Sequence, residues 1–315
     1  MKNIRFFVLC VLTTLLLGGC REYVSYTDYV QVNGVELFYA AEGCGKPVIL
    51  LHGNGGSHNS LETTTRQLAQ AGYLVYAIDS RGQGANKKLD EYHYKDMAED
   101  VYQFIKHKNL VKPAVFGYSD GGIIALQLEV MYPGTLGAIA TGGANIFVPG
   151  ALEQSFLDKL FEDENPSPLK KMLMYEPTMT VEDMQTIQVP SLIMSGEKDI
   201  ILPEHTRLIG ENIPAGEVVI LPEEDHGSYI KRSYKVGDLI LDFFKRIGYF
   251  RRNCRLAYGL AKLLEKLSVL CSLDTLAACS EKLGVALLQN SLLFKLHSEV
   301  KTCLSADTGN DSVGT

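Results

Sequence analysis

From residue 28 onward the chain alternates short apolar runs with polar or helix-periodic stretches, and the spacing of those runs predicts the order of its elements. "DYVQV" and "VELFYAAEG", separated by Asn33-Gly34, predict two strands joined by a two-residue turn. "KPVILLHG" is a continuous apolar run ending in glycine, followed by the helical stretch "SLETTTRQLAQAG"; "YLVYAIDSRGQG" then repeats the strand-then-glycine pattern. Continuous rather than alternating hydrophobicity predicts strands covered on both faces, as in a parallel sheet.

Further along, the pattern predicts a helix over 93–109, a strand at "PAVFGY", a helix over 120–131 and a strand at "LGAIATGG". "VPSLIMSGEKD" and "GEVVILPEEDHG" predict two more strands, with a helix around 203–211 between them and a last helix through "LILDFFKRIG". A hairpin leading into repeated strand–helix units gives an α/β fold, a mostly parallel mixed sheet with helices on both faces, over residues 28–248. Residues 150–188 interrupt the rhythm with a strand-free helical stretch, expected to form a small cap over the strand ends. Met172, Met174, Met179 and Met184 fall in it, either lining an adaptable binding surface or packing the cap onto the sheet.

Two terminal regions stand outside this plan. Residues 249–306 carry an amphipathic helical pattern, with Leu256, Leu260, Leu263, Leu267 and Leu270 on one stripe, expected to pack on the main domain or on a second copy. Residues 307–315 lack any apolar pattern and are expected to be a disordered tail. At the other end, Lys2 and Arg5 precede an apolar stretch closed by Gly18 and Gly19, the layout of an export signal over residues 1–19. "LGGC" resembles the lipobox of bacterial lipoproteins. That resemblance implies lipid attachment at Cys20, a tether over 20–27, and an exported protein anchored to a membrane of the bacterial cell envelope.

Composition narrows the function class. The 315 residues are 46% hydrophobic and 21% charged with a formal net charge of -7, a globular make-up that argues against a nucleic-acid surface. Cys44, Cys254, Cys271, Cys279 and Cys303, which remain once Cys10 and Cys20 are set aside, are odd in number and match no metal spacing.

The chemistry is concentrated at strand ends. "GYSDG", Gly117 to Gly121, lies between a predicted strand and a predicted helix, the context in which G-x-S-x-G forms a nucleophile elbow around Ser119. A serine hydroxyl needs a base, and the base needs an orienting carboxylate. Asp199 follows "IMSGEK" and His226 follows "VILPEED", both just beyond core strands and in the order serine, acid, histidine. Glu197 and Asp225 are the rival acids. "HGNGG", His52 to Gly56, supplies a glycine-rich loop after the first long parallel strand. The backbone amides of Asn54 and Asp120 are therefore the candidate oxyanion donors, with His52 in a structural role.

With these motifs in order, "LLHGNGG", "AIDSRGQG", "GYSDGG", "SGEKD" and "EDHGS", the chain resembles the α/β-hydrolase superfamily over about residues 28–247. In "DSRGQGAN" it departs from the many members that carry serine after the second glycine. The resemblance implies serine-dependent hydrolysis of a small or medium acyl ester, without metal or organic cofactor. Ser119 in place of an elbow aspartate argues against dehalogenase and epoxide hydrolase chemistry. A serine aminopeptidase or a carbon–carbon bond hydrolase shares the skeleton. For the aminopeptidase, the cap acids Glu153, Glu162, Asp163 and Glu164 could receive an amine. The non-enzymatic alternative is a surface-binding lipoprotein that keeps the fold with its leucine-rich tail as partner surface.

Overall fold

A computed structural model describes residues 23–249. The expected export signal and Cys20, the amphipathic stripe from Leu256 to Leu270 and the tail over 307–315 lie outside the described residues.

The sheet opens with β1 (Val24–Val32) and β2 (Val35–Gly43), paired antiparallel in continuous register from Val24 opposite Gly43 to Val32 opposite Val35. Asn33 and Gly34 both take positive φ, at 45° and 75°, which is what a tight hairpin with right-handed strand twist demands. β1 begins inside the stretch expected as tether. Val24-Ser25-Tyr26-Thr27 keeps the apolar–polar alternation of a strand and pairs along β2, although Ser25 to Thr27 are exposed.

β3 (Lys46–Leu51), β4 (Tyr73–Ile78), β5 (Ala114–Tyr118), β6 (Ala138–Gly142), β7 (Ser191–Lys198) and β8 (Gly216–Asp225) complete an eight-stranded sheet. Its order is β1-β2-β4-β3-β5-β6-β7-β8, antiparallel at β1/β2 and β2/β4 and parallel from there on. The helices are α1 (Glu62–Gln70), α2 (Tyr94–His107), α3 (Asp120–Met131), α4 (Gln154–Phe161), α5 (Pro168–Tyr175), α6 (Val181–Thr186), α7 (Pro203–Asn212) and α8 (Lys235–Arg246).

Strand periodicity divides the core into two layers. Ile49 and Leu51 of β3 join Met97, Val101 and Phe104 of α2 and Ile123 of α3 on one face. Val48 and Leu50 join Leu68 of α1 and Val236, Ile240 and Phe243 of α8 on the other. The continuous apolar runs therefore mark strands buried on both faces, which places the strand ends, and the loops after them, at one rim of a rigid slab.

The 150–188 stretch contains α4, α5 and α6. Ser167 and Thr180 cap the latter two, their side chains accepting from the amides of Lys170 and Asp183. Met172, Met179 and Met184 are buried in the same core layer as α2 and α3 and pack the cap onto the sheet, while Met174, and Met179 with it, line an apolar groove in the cap. Among the described residues no helix is long and apolar enough to cross a membrane.

Candidate active site

Ser119 links β5 to α3 with φ 52° and ψ −118°, a conformation that costs a non-glycine residue energy and persists only where its surroundings enforce it. The enforcement is steric. A Cβ on Gly117 would overlap the carbonyl of Gly121, and one on Gly121 would overlap the carbonyl of Leu51 in β3. The serine amide donates to the Gly142 carbonyl at 2.7 Å, fixing the turn to β6. Glycines at 117 and 121 therefore let strand and helix close around a serine that the core itself cannot bury.

Asp199 and His226 arrive from β7 and β8. His226 Nε2 lies 3.0 Å from Ser119 Oγ, and Nδ1 lies 2.5 Å from Asp199 Oδ1. The Asp199 side chain is fully buried and also accepts from the amides of Ile201, at 3.0 Å, and Gly196, at 3.2 Å. With both carboxylate oxygens engaged, the acid can turn only one way. That fixes the imidazole with Nδ1–H toward Asp199 and Nε2 free to accept the serine proton. The rival acids have other duties: Asp225 accepts from the amides of Gly227 and Ser228 at 2.8 Å each, and Glu197 accepts from the amide of Glu223.

The loop after β3 is built for close approach. Gly53 packs against Tyr118 and Ser119, where a Cβ would stand 3.1 Å from the Ser119 Cβ. Gly56 N–H closes a turn on Gly53 O at 3.0 Å, and Gly55 N–H donates to Gln83 Oε1 at 2.7 Å. His52 is buried in a structural role: the Ser80 amide donates to its Nε2 at 3.0 Å, leaving Nδ1–H to donate to Gly53 O at 2.7 Å. Burial lowers its pKa and keeps it neutral. In "DSRGQGAN", Ala85 gives its amide to Asp79 Oδ2 at 2.8 Å, and Arg81 makes a two-pronged pair with Asp100.

Ser119, His226, Asn54 and Asp120 line one cavity of about 400 Å³. Leu152, Phe156, Leu173, Ile200 and Ile201 form its apolar wall, with Glu176, Asn145 and Lys231 as polar groups. The cap acids Glu153, Glu162, Asp163 and Glu164 are not part of that lining, and Asp163 pairs instead with Lys170 at 2.8 Å. A separate apolar groove of about 710 Å³ within the cap, between Phe147, Leu157, Phe161 and Tyr175, contains none of the candidate catalytic groups.

Several participants carry no motif. Gly143, φ 64°, passes so close to the relay that a Cβ would stand 2.8 Å from His226 Nδ1 and 3.2 Å from Asp199 Oδ2. The Tyr118 ring lies 5.1 Å from the imidazole, centroid to centroid. Glu176 joins the cap to the start of α2, accepting from the Tyr94 amide at 3.0 Å and facing His93 Nδ1 at 2.5 Å. Only the second glycine of "TGG", directly after a strand, could have drawn attention in the sequence. The others become visible when distant segments meet.

Comparison with known proteins agrees with the topology. Residues 46–168 match the family described as alpha/beta hydrolase fold. The chain is 25% identical over 248 residues to Serine hydrolase BPHL of Mus musculus, covering 69% of this chain and 85% of that one. It is likewise 25% identical to Lipase 1 of Psychrobacter immobilis, covering 62% and 76%. The esterase of Exiguobacterium antarcticum superposes with a TM-score of 0.60 at 23% identity, over 69% of this chain and 98% of that one. What the chain shares with that structure is the α/β-hydrolase fold.

Proposed function

We propose that this chain of α/β-hydrolase fold is a serine hydrolase acting on small or medium acyl esters. The observation that carries the reading is the unbroken relay from Asp199 through His226 to Ser119, 2.5 Å and 3.0 Å long, opening into a cavity with an apolar wall.

Each step uses a named group. Ser119 Oγ attacks the acyl carbon as His226 Nε2 takes its proton, and Asp199 stabilises the imidazolium through Nδ1–H. Negative charge growing on the acyl oxygen is met by the amides of Asn54 and Asp120. The second of these sits at the N-terminus of α3, whose dipole adds to the attraction. Each such donor supplies about 3 kcal/mol of transition-state stabilisation. His226 then returns the proton to the departing alkoxide, and water, activated by the same imidazole, releases the acid from the acyl-enzyme. Apolar side chains from the cap and from the loop after β7 suit an acyl chain, and about 400 Å³ suits one of modest length.

Hydrolysis of p-nitrophenyl esters by the purified protein, set beside aminoacyl anilides, tests this. The reading expects esters to be preferred and Ser119→Ala to abolish turnover; preference for the anilides would overturn it. The lipobox-like "LGGC" supports a further part of the proposal, that the enzyme is exported and held at the cell envelope by acyl chains on Cys20. Labelled palmitate should enter the wild-type chain and not Cys20→Ser; equal labelling would refute the anchor.

A further inference from the structure

The relay leaves one buried carboxylate beside the nucleophile unexplained. Asp120 follows Ser119 in the chain, is 2% exposed, and takes no part in the proton path. Its Oδ2 accepts from Asn54 Nδ2 at 2.9 Å and its Oδ1 accepts from the Tyr94 hydroxyl at 2.8 Å. Three elements therefore meet on a single side chain: the glycine-rich loop after β3, the first residue of α3 and the first residue of α2. Tyr94, whose ring is buried, gives its amide to Glu176 of the cap, so the array continues into the roof of the cavity.

A carboxylate is an expensive choice here. Desolvation pushes its pKa up to about 6, and its negative charge would oppose the oxyanion forming nearby. An apolar side chain would fill the space without either cost, so the hydrogen bonds must matter. The loop that carries Asn54 is otherwise hydrogen-bonded to Gln83 through the Gly55 amide, to His52 Nδ1 through the Gly53 carbonyl and to itself through the Gly53–Gly56 turn, while Gly53 packs against Tyr118 and Ser119. None of those hydrogen bonds reaches the elbow, whereas the Asn54–Asp120 bond joins the two residues whose backbone amides must converge on one oxygen.

We propose that Asp120 is a positioning residue, whose side chain, seated on Tyr94, grips the side chain of Asn54 and so sets the spacing of the two oxyanion-hole amides. The inference rests on the serine hydrolase reading. A hole held at the spacing of the transition state matters little to the planar ground-state ester and much to the tetrahedral oxygen, so loosening it lowers kcat and spares KM. Asn54→Ala keeps the amide and removes only the grip.

The test is p-nitrophenyl butyrate hydrolysis by the full chain, comparing wild type, Asn54→Ala, Asp120→Ala, their double variant and Asp120→Asn. Each alanine variant should lose about 10- to 100-fold in kcat, a fraction of what removing a donor outright costs, with KM nearly constant. The double variant should be no worse than the weaker single one, because both remove the same link. Asp120→Asn should restore most of kcat, since its carbonyl can accept from Asn54 while its NH2 donates to the Tyr94 oxygen. Inhibition by a trifluoromethyl ketone, which forms a tetrahedral adduct, should weaken in parallel with kcat. Multiplicative losses, a rise in KM at constant kcat, or an asparagine variant as poor as alanine would overturn the grip while leaving the hydrolase reading intact. An inactive wild type would overturn both. If Asp120→Ala fails to fold, Asn54→Ala against Asp120→Asn decides, since Asn54 is exposed and the asparagine preserves shape.

Discussion

Gly143 and His226 are packed so tightly that a methyl group on the glycine would stand 2.8 Å from the imidazole Nδ1. The loop leaving β6 thus forms one wall of the slot that holds the His226 ring. Gly143→Ala should push the ring out of line with Asp199 and place a non-glycine residue at φ 64°. The expected result is at least a tenfold loss in kcat, with destabilisation of about 1–2 kcal/mol from backbone strain. Steady-state kinetics and denaturant unfolding on the same sample check both numbers, and unchanged kcat would remove Gly143 from the site.

His205 lies in α7, buried, with Nε2 accepting from the Ile146 amide at 3.0 Å. Burial lowers its pKa to about 4. Between that value and the ordinary 6.5 the unfolded chain binds a proton that the folded chain refuses, so stability falls as pH drops through this window. The full loss is about 3 kcal/mol. His205→Gln, which can still accept from Ile146, should lack this acid slope in urea unfolding followed from pH 7 to pH 4.

Asp120 has the opposite sign. Its folded pKa of about 6 stands above the unfolded 3.8, so the folded state holds its proton longer and stability falls as pH rises from about 4 to about 6. Asp120→Asn should therefore be more stable than wild type at pH 7.5 by up to about 3 kcal/mol, and equal to it below pH 4. Melting at the two pH values checks this. A wild type that is the more stable at pH 7.5 would show that the charge is compensated after all.

Glu176 and His93 join cap to core. The Glu176 carboxylate raises the His93 pKa, with Glu91 adding to the effect at 3.1 Å. A histidine whose folded pKa is raised contributes its full stability below 6.5 and loses it as pH climbs through the raised value. Amide exchange in α4 and α5, corrected for intrinsic rate, should thus be slower at pH 6 than at pH 8.5. Glu176→Gln should erase the difference.

Much of this was legible in the sequence because the chemistry sits on local motifs. Asn33-Gly34, the doubly buried strands and the span of α3 follow from backbone preference and periodicity, which act over a few residues. Ser119, Asp199 and His226 each follow a recognisable strand end, and the structure brings the three side chains together. The Asp120 grip was hidden for a different reason. Its partners Asn54 and Tyr94 lie 66 and 26 residues away along the chain, and nothing local to either marks the hydroxyl or amide that will meet a buried carboxylate. Gly143 and Glu176 belong to the same class, since their importance arises from what packs against them. The start of β1 is less legible because Val24 to Thr27 alternate but bury little, so that pairing to β2 is what holds them as strand.

The central claim, that Ser119 is an activated nucleophile, is tested most directly by a fluorophosphonate probe and peptide mass mapping of the folded protein. The account predicts one adduct per chain, on Ser119, absent from Ser119→Ala and formed at least a hundredfold more slowly in His226→Ala. A folded wild type that takes no label, or labelling that survives in Ser119→Ala, would contradict it.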